Sequence, residues 1–400
     1  MNTLKKIYCR ISQTVFWLAI PFLPYSDPKL LDATTDLPAE LKRRGIGSVI
    51  IVTDKSIHGF GLIEPLKRAL EQENIRYVVY DDTVPNPTVD NVEAALALYH
   101  ANGCQGLIGF GGGSPIDCAK IAGARVVRPK MPVQKMSGVF KIFHRLPFLA
   151  AIPTTAGTGT EVTASALITD GATRHKFPIN DLMLIPKVSV LDPEVTRSLP
   201  KHITASTGMD ALTHAVEAYI GRSTVKSTRA DALEAVRLIS QNLLDAYHDG
   251  DDLTARRNML MGSFLAGRAF AKSYVGYCHA VAHSLGGKYN MPHGLANAVL
   301  LPYVLDAYGD TVYHKLKTLG IAAGVCDEAM PAKDAAETFI AWIREMNARM
   351  DIPTKLKGIR REDIPELAKK ADKEGNPFYP VPKLFDAQEL ERFYYDVMEA

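Results

Sequence analysis

Short apolar runs rich in β-branched residues alternate with amphipathic stretches through the first half of the chain. The apolar runs predict buried strands at residues 48–53, 76–80, 105–109 and 148–152. The amphipathic stretches predict helices at residues 62–73, 89–101 and 115–125. Because strands that alternate with helices are joined by right-handed crossovers, this half predicts a doubly wound α/β domain built on a parallel sheet.

Helical periodicity replaces the β-branched runs after residue 193. Helices are predicted at residues 205–219, 227–247, 255–272, 278–285, 297–307, 334–346 and 387–398. We therefore place a boundary near residue 194, which separates an α/β domain over residues 1–194 from an all-α domain over residues 195–400. Residues 1–47 form an atypical N-terminal segment of the first domain.

That segment carries an apolar run at residues 15–23, preceded by the basic residues Lys5, Lys6 and Arg10. The run loosely resembles a signal sequence, but it is too short to span a bilayer and is interrupted by Pro21. We interpret it as a strand or a docking segment that packs on the first domain. Stable membrane insertion is not expected, and peripheral membrane attachment is the alternative.

Composition narrows the class of protein. The chain has 46 Lys and Arg against 44 Asp and Glu, a net charge of +2, which gives no reason to expect nucleic acid or an anionic membrane as a partner. Its apolar fraction of 47% and charged fraction of 22% are typical of a soluble globular protein. The five cysteines are scattered and form no CxxC pair, so a reducing compartment, the cytoplasm, is expected.

A glycine cluster follows the third predicted strand and precedes a predicted helix. Gly111, Gly112 and Gly113 lack a Cβ and let backbone N–H groups approach an anion, and Ser114 opens the helix. Open α/β sheets bind ligands at this carboxyl end of their strands. The cluster therefore predicts a phosphate cradle, and a tight strand-to-helix turn is the alternative interpretation.

Two neighbouring segments add to this predicted site. The loop after the fourth strand contains Thr154, Thr155 and Thr158, whose hydroxyls could line the same phosphate or ribose site. Asp54 follows the first strand, where a carboxylate can accept hydrogen bonds from ribose hydroxyls and would repel a 2′-phosphate. This favours NAD over NADP, although a helix cap explains Asp54 equally well.

Histidines concentrate in residues 276–294. His279 and His283 stand four apart and would share one face of a helix. His293 follows Gly286, Gly287 and Pro292, which are expected to end that helix and turn the chain back. Such a cluster predicts a metal site or a proton relay, and ordinary helix and loop histidines are the alternative.

Asp210 and His214 are also four apart on a predicted helix. Together with His279 and His293 they would supply one carboxylate and three imidazoles. That set suits Fe(II), Zn(II), Co(II) or Mn(II), and the sequence does not choose among them. An intrahelical pair worth roughly 0.2–0.5 kcal/mol is the alternative for Asp210 and His214.

These motifs together resemble the iron-containing alcohol dehydrogenase family, often called group III. The resemblance rests on residues 111–120, 153–161, 208–219 and 276–294, with further likeness at residues 85–88 and 376–377. It implies an N-terminal dinucleotide-binding domain and an α-helical C-terminal domain, the architecture shared with dehydroquinate synthase. Catalysis is then expected in the cleft between the two domains.

The resemblance also assigns roles to individual residues. It implies that the metal is bound by Asp210, His214, His279 and His293. It implies that the cofactor is bound by Asp54, Asn86, Gly111, Gly112, Gly113, Ser114, Asp117, Thr154, Thr155, Thr158 and Lys176. His283 falls close to the nicotinamide and the substrate, and we expect it to relay the proton.

The expected activity is reversible hydride transfer between NAD(H) and a primary alcohol or its aldehyde, on a divalent metal that the resemblance suggests is Fe(II), with Zn(II) as the alternative. The expected partners are a small alcohol or aldehyde and further copies of the chain. Glycerol or another polyol is an alternative substrate. A dehydroquinate synthase-type lyase would need a basic pocket, and no dense Lys and Arg cluster accompanies the metal motifs. A non-catalytic scaffold would not need the intact set of ligands and loops.

Overall fold

The computed structural model describes residues 1–171 and 175–399. The chain forms two compact units, which are Pro24–Ser198 and a second one made of Leu199–Ala400 together with Met1–Leu23. None of the described helices is long and apolar enough to cross a membrane.

The N-terminal segment is a helix, α1 (Thr3–Ala19), which Asn2 caps by accepting a hydrogen bond from the Lys5 N–H. The interpretation of its apolar run as a strand or a segment docked on the first domain is wrong. Apolar residues recur from Leu4 onward at helical spacing, and the helix belongs to the unit that contains residues 199–400.

The α/β unit contains nine strands and five helices within the described residues. Its strands are β1 (Lys29–Leu31), β2 (Ser48–Val52), β3 (Arg76–Tyr80), β4 (Gly106–Gly111), β5 (Gly138–Val139), β6 (Phe148–Pro153), β7 (Ser165–Asp170), β8 (His175–Asn180) and β9 (Val188–Val190). Its helices are α2 (Leu37–Arg43), α3 (Lys55–Gly59), α4 (Glu64–Gln72), α5 (Val89–Ala101) and α6 (Gly113–Val127). The four predicted strands and three predicted helices of this half are confirmed.

Six of these strands form one parallel sheet in the order β1-β9-β6-β4-β2-β3. Strand β2 is buried along its whole length because helices cover both faces of the sheet. Ile50 and Val52 face one apolar cluster, and Val49 and Ile51 face another. A separate three-stranded sheet has the order β5-β8-β7.

The register of the parallel sheet brings together the loops that follow three neighbouring strands. Gly109 of β4 lies opposite Val52 of β2, and Gly111 lies opposite Pro153 of β6. Since all three strands run in the same direction, the segments that follow them leave the sheet side by side. Asp54, the glycine cluster and the threonine loop therefore lie side by side at the carboxyl ends of β2, β4 and β6.

The second unit is helical, as predicted. After α1 it contains α7 (Lys201–Ile220), α8 (Lys226–His248), α9 (Leu253–Ser273), α10 (Tyr277–Tyr289), α11 (His293–Tyr308), α12 (Tyr313–Ala322), α13 (Ala332–Arg349), α14 (Ile364–Gly375) and α15 (Ala387–Val397). Helices α7 and α8 pack closely at Gly208, because a Cβ there would lie 2.3 Å from the side chain of Leu243 and would force that side chain to move.

Helix α10 continues through Gly286 and Gly287, so the expectation that these glycines end it is wrong. The helix ends where Asn290 adopts the left-handed conformation with a φ of 52°. Pro292 then precedes the first residue of α11, which is His293. The chain does turn back between the two histidine-bearing helices, but Asn290 and Pro292 make the turn.

Candidate functional site

The structure brings four potential metal ligands together in the helical unit. Asp210 and His214 lie one turn apart on α7, His279 lies on α10, and His293 begins α11. One ligand atom from each of the four lies within 4.8 Å of all the others. His283 is not a member of this group.

A close approach of α11 to α7 allows His293 to join the group. A Cβ on Gly294 would lie 2.3 Å from the backbone oxygen of Ser206, so only glycine fits after His293. As a result, Nε2 of His293 lies 3.5 Å from Oδ1 of Asp210. Asp210 is buried, whereas the His293 side chain is 36% exposed. The group is therefore accessible on the His293 side.

Glu217 fixes the orientation of the His279 ring. Its Oε2 lies 2.6 Å from Nδ1 of His279 and also accepts a hydrogen bond from the Gly276 N–H, while its Oε1 accepts one from the Cys278 N–H. Burial lowers the pKa of His279 well below its ordinary value and raises the pKa of Glu217 to about 7. A neutral His279 therefore donates from Nδ1, which leaves Nε2 as the ligand atom.

That Nε2 atom is the clearest indication that the four residues fit a metal ion. It is buried and makes no hydrogen bond within the described part of the chain. Nε2 lies 3.8 Å from Oδ1 of Asp210, which is too far for a hydrogen bond. A buried, oriented lone pair beside a carboxylate and two further imidazoles fits a divalent transition metal.

Replacing Glu217 by glutamine is expected to weaken metal binding by about 10–100-fold, the usual cost of losing such an orienting partner. The amide has one acceptor oxygen and one donor nitrogen, so it cannot accept all three of the hydrogen bonds described above. Metal affinity measured by competition with a chelator tests this. Glu345→Gln, an exposed change on α13, is the matched control. Unchanged metal affinity in Glu217→Gln would show that the carboxylate does not support the ligand.

Asn297 links two of the four residues and was not predicted. Its Nδ2 lies 2.7 Å from Oδ1 of Asp210 and 3.1 Å from Nε2 of His293. The side chain is fully buried and lies one helical turn after His293 on α11. Glu217 was missed as well, although it follows His214 by three residues on the same face of α7. In both cases, the helical spacing from a predicted ligand could have indicated that the residue lies beside the metal site.

The His214 ring is held by stacking on both sides. Its centroid lies 4.2 Å from that of Phe270 on α9 and 4.4 Å from that of His279. The rings are nearly parallel in the first pair, at 15°. Stacking of this kind restricts rotation of the imidazole, so His214 is positioned before any ligand binds.

His283 lies beside the group with a carboxylate of its own. Its Nδ1 is 2.5 Å from Oε1 of Glu374, which also accepts a hydrogen bond from the Tyr379 hydroxyl at 2.8 Å. Burial raises the pKa of Glu374, but the charge and hydrogen bond of His283 outweigh this and lower it overall. The His283 ring stacks on that of His293 with centroids 5.0 Å apart. The imidazole is thus oriented next to the accessible side of the group.

In the α/β unit, the predicted phosphate cradle is a tight turn at the start of α6. Gly111 has a φ of 149°, and a Cβ there would lie 2.7 Å from the ring of Pro115. Gly112 caps α6 without a side-chain hydrogen bond among the described residues. The first N–H groups of the helix are therefore left for an anion such as a pyrophosphate.

The threonine loop packs directly against this turn. The Thr154 N–H donates to the carbonyl of Gly111 at 3.0 Å. The side chain of Thr155 lies 3.7 Å from where a Cβ of Gly112 would be, and that of Thr158 lies 3.3 Å from the same point on Gly113. The two loops thus form one surface at the carboxyl end of β4 and β6.

Asn86 and Lys176 also belong to this surface. The Asn86 N–H donates to Oγ of Ser114 at 3.2 Å, and Lys176 Nζ donates to Oδ1 of Asn86 at 2.8 Å. Asn86 adopts the left-handed conformation with a φ of 58°, which asparagine tolerates well. The structure therefore brings Asn86, Ser114 and Lys176 into one hydrogen-bonded group.

The two predicted acidic residues have structural partners. Asp117 accepts hydrogen bonds from the Thr160 hydroxyl at 2.7 Å and the Leu167 N–H at 2.9 Å, and burial raises its pKa. It therefore ties α6 to the threonine loop. Asp54 caps α3 by accepting from the Ile57 N–H at 2.9 Å, which is the alternative considered for it from sequence.

Comparison with known proteins gives consistent matches over almost the whole chain. Residues 31–193 match the family model described as iron-containing alcohol dehydrogenase, and residues 204–398 match the one described as Fe-containing alcohol dehydrogenase family, C-terminal. The 1,3-propanediol dehydrogenase of Citrobacter freundii is 37% identical over 372 residues, which cover 92% of this chain and 95% of the relative.

Solved structures show the same family resemblance in their fold. A crystal structure of 1,3-propanediol oxidoreductase superposes with a TM-score of 0.89 at 35% identity and covers 94% of this chain and 99% of that one. Sulfoacetaldehyde reductase from Bifidobacterium kashiwanohense, solved in complex with NAD+, superposes with a TM-score of 0.82 at 26% identity, covering 93% of this chain and 98% of that one.

Proposed function

Because the chain belongs to the iron-containing alcohol dehydrogenase family, we propose that it catalyses reversible hydride transfer between NAD(H) and a primary alcohol or the corresponding aldehyde. The observation that carries this proposal is the buried, unbonded Nε2 of His279, held by Glu217 within reach of Asp210. The similarity to a propanediol dehydrogenase supports a primary alcohol as the substrate class.

Asp210, His214, His279 and His293 are proposed to hold the divalent metal, with Fe(II) expected first and Zn(II) as the alternative. When bound, such a metal supplies a Lewis acid that polarises the oxygen of the alcohol or aldehyde. Glu217 keeps the His279 ring in the correct tautomer, and the Phe270 and His279 rings keep His214 in place. The chain thus supplies a preorganised ligand set.

The dinucleotide is proposed to bind the α/β unit at the carboxyl ends of β2, β4 and β6. Gly111, Gly112, Gly113 and Ser114 would hold the pyrophosphate, flanked by Thr154, Thr155 and Thr158. The Asn86 and Lys176 pair and the Asp54 carboxylate would contact ribose, and Asp54 would favour NAD over NADP. Asp117 positions the threonine loop. Bound there, NAD would supply the hydride chemistry, and these residues would orient it.

His283 is proposed to move the proton. Its Nδ1 is engaged by Glu374, so the other ring nitrogen is the atom that exchanges a proton with the substrate hydroxyl, through water or the ribose hydroxyls. The Glu374 carboxylate holds the ring in place. His283 thus acts in the reaction without binding the metal.

We further propose that the α/β unit, Pro24–Ser198, is the dinucleotide domain and that the helical unit, Leu199–Ala400 with Met1–Leu23, is the metal and substrate domain. A homo-oligomer and a cytoplasmic location complete the proposal. The location is supported by five free cysteines, four of them buried.

Metal analysis of anaerobically purified protein, coupled to turnover assays, tests the function. The assays use a panel of primary alcohols, glycerol and aldehydes with NAD(H) and NADP(H), before and after chelation. We expect stoichiometric metal and NAD-linked turnover that falls more than about 100-fold on chelation and returns with Fe(II) or Zn(II). Turnover that survives complete metal removal would contradict the metal role, and a preference for glycerol would favour a polyol dehydrogenase.

A further inference from the structure

The relay loop, defined as residues 376–382, directly follows α14 and contacts the residues of the proposed proton relay. The Tyr379 hydroxyl donates to Oε1 of Glu374 at 2.8 Å, and the same oxygen lies 2.5 Å from Nδ1 of His283. Burial and the charge of Glu374 raise the pKa of Tyr379 well above its ordinary value, so the hydroxyl keeps its proton and remains a donor. The position of this loop therefore affects the orientation of His283 through two consecutive contacts.

The relay loop depends on other parts of the chain for its backbone hydrogen bonds. Three of its seven residues are prolines, which have no N–H group to donate. A buried carbonyl group without a donor is costly, so the carbonyls of such a loop need partners from elsewhere in the molecule. One partner is the N–H of Arg222, which donates to the Pro380 carbonyl at 2.6 Å. Further donors come from α1.

Helix α1 supplies four hydrogen bonds to these carbonyls from two side chains. Nε2 of Gln13 donates to the carbonyls of Pro377 and Tyr379 at 3.2 and 2.7 Å. Arg10 donates to the carbonyls of the last two residues of the loop at 2.7 and 2.8 Å. Arg10 also donates to Oε1 of Gln13 at 2.7 Å, which directs the amide nitrogen of Gln13 toward the loop. Because Gln13 is buried, this arrangement is specific to the loop.

Aromatic rings give α1 a second contact with the same group. Phe16 packs edge-on against Tyr274 with ring centroids 4.8 Å apart, and the Tyr274 ring lies 6.1 Å from that of Tyr379. Tyr274 has a φ of 61° and a ψ of −179°, a backbone conformation that is costly for any residue except glycine. Such a conformation persists only where the surroundings impose it, and the two flanking rings belong to those surroundings. Helix α1 thus supports the backbone of Tyr379 directly and its ring through Tyr274.

We propose that α1 positions the proton relay, because its polar side chains hold the loop that keeps Glu374 and His283 in place. Gln13, Arg10 and Tyr379 are positioning residues in this arrangement, and they act on the reaction only through His283. Catalytic groups must be held by neighbours that are themselves fixed by packing and hydrogen bonds. The inference rests on the proposed function of His283 and adds that the N-terminal helix contributes to turnover.

Steady-state kinetics of the full-length protein with NAD and a primary alcohol test this proposal. Gln13→Met removes both amide donors while keeping the length of the side chain, and it should lower kcat about fivefold. Tyr379→Phe removes only the hydroxyl and should lower kcat about tenfold. Both effects stay below the loss of about 100-fold expected without His283. The KM for the alcohol and the metal content should not change, because the four metal ligands keep their contacts.

A double-mutant cycle shows whether these residues act through His283. In the His283→Ala background, Gln13→Met and Tyr379→Phe should change the residual kcat less than about twofold, because the ring that they position is gone. A purely structural role would lower kcat by the same factor in both backgrounds. Thr14→Met is the matched control, since it places the same side chain at the neighbouring, exposed position of α1 and should leave kcat unchanged.

The proposal is overturned if either variant keeps the kcat of the parent, if its effect persists in full without His283, or if it loses the metal. Thermal unfolding monitors folding. If Gln13→Met does not fold, Arg10→Met, a change at a partly exposed position, is judged by the same criteria. If His283→Ala turns over like the parent, the failure lies in the proposed role of His283, and the inference falls with it.

Discussion

The His279→Ala protein is expected to lose its metal and its turnover together. The substitution removes an imidazole nitrogen that is buried, oriented by Glu217 and makes no hydrogen bond within the described residues. It also leaves the Glu217 carboxylate without its imidazole partner. Losing a residue that only orients a metal ligand costs about 10–100-fold in metal affinity, so the loss of the ligand itself should exceed this range.

Metal content of the anaerobically purified variant and NADH formation with a primary alcohol measure the two effects. His314→Ala is the matched control, since His314 lies on the exposed side of α12 in the same unit. If His279→Ala keeps its metal and most of its activity, the assignment of the four ligands is wrong. A variant that unfolds is distinguished by comparing its thermal unfolding with that of the parent protein after chelation.

The His283→Ala protein is expected to behave differently, with kcat lowered about 100-fold and metal content unchanged. General acid–base catalysis typically contributes 10²–10⁴-fold, so about 100-fold is the lower end for a relay that water can partly replace. The ring is held by Glu374 and stacks on His293, but it contributes no atom to the four-residue group.

The effects on kcat and KM separate a relay from a purely structural role. Glu374→Gln removes the carboxylate that holds the His283 ring and should also lower kcat, with KM and metal content unchanged. Loss of metal from His283→Ala would make His283 a ligand and contradict the division of roles proposed for the two histidines of α10.

The alternation of strands and helices in residues 48–153 was predictable because both faces of a covered parallel sheet must be apolar. Strand β2 is the clearest case, with Ser48–Val52 buried throughout. Helix α1 was not predictable in the same way. The apolar run at residues 15–23 predicts a segment that is buried against the first domain. The polar contacts of Arg10 and Gln13 show instead which face of the helix packs inward.

Helix α10 shows a second limit. Glycines weaken a helix by roughly 1 kcal/mol each relative to alanine, which is little compared with what tertiary packing contributes. Gly286 and Gly287 therefore stay helical, and the left-handed Asn290 determines the end.

Part of the site could be predicted from the sequence because its residues occur in pairs one helical turn apart, Asp210 with His214 and His279 with His283. Glu217 and Asn297 were missed because their roles depend on contacts between distant parts of the chain. Glu217 and His279 are separated by 62 positions, and Asn297 and Asp210 by 87. Helical spacing gives a shared face, but only the packing of α7 against α10 and α11 shows which polar residue meets which ligand.

The Glu217 carboxylate has a consequence for the lifetime of the protein. Besides holding His279, it accepts hydrogen bonds from the Gly276 and Cys278 N–H groups, and so it caps the start of α10. A Cβ on Gly276 would lie 2.6 Å from its Oε1, so a larger residue at that start would displace the carboxylate. If His279 binds the proposed metal, metal occupancy and the local unfolding of α10 are thermodynamically linked, and metal removal should make this segment easier to cleave by a protease.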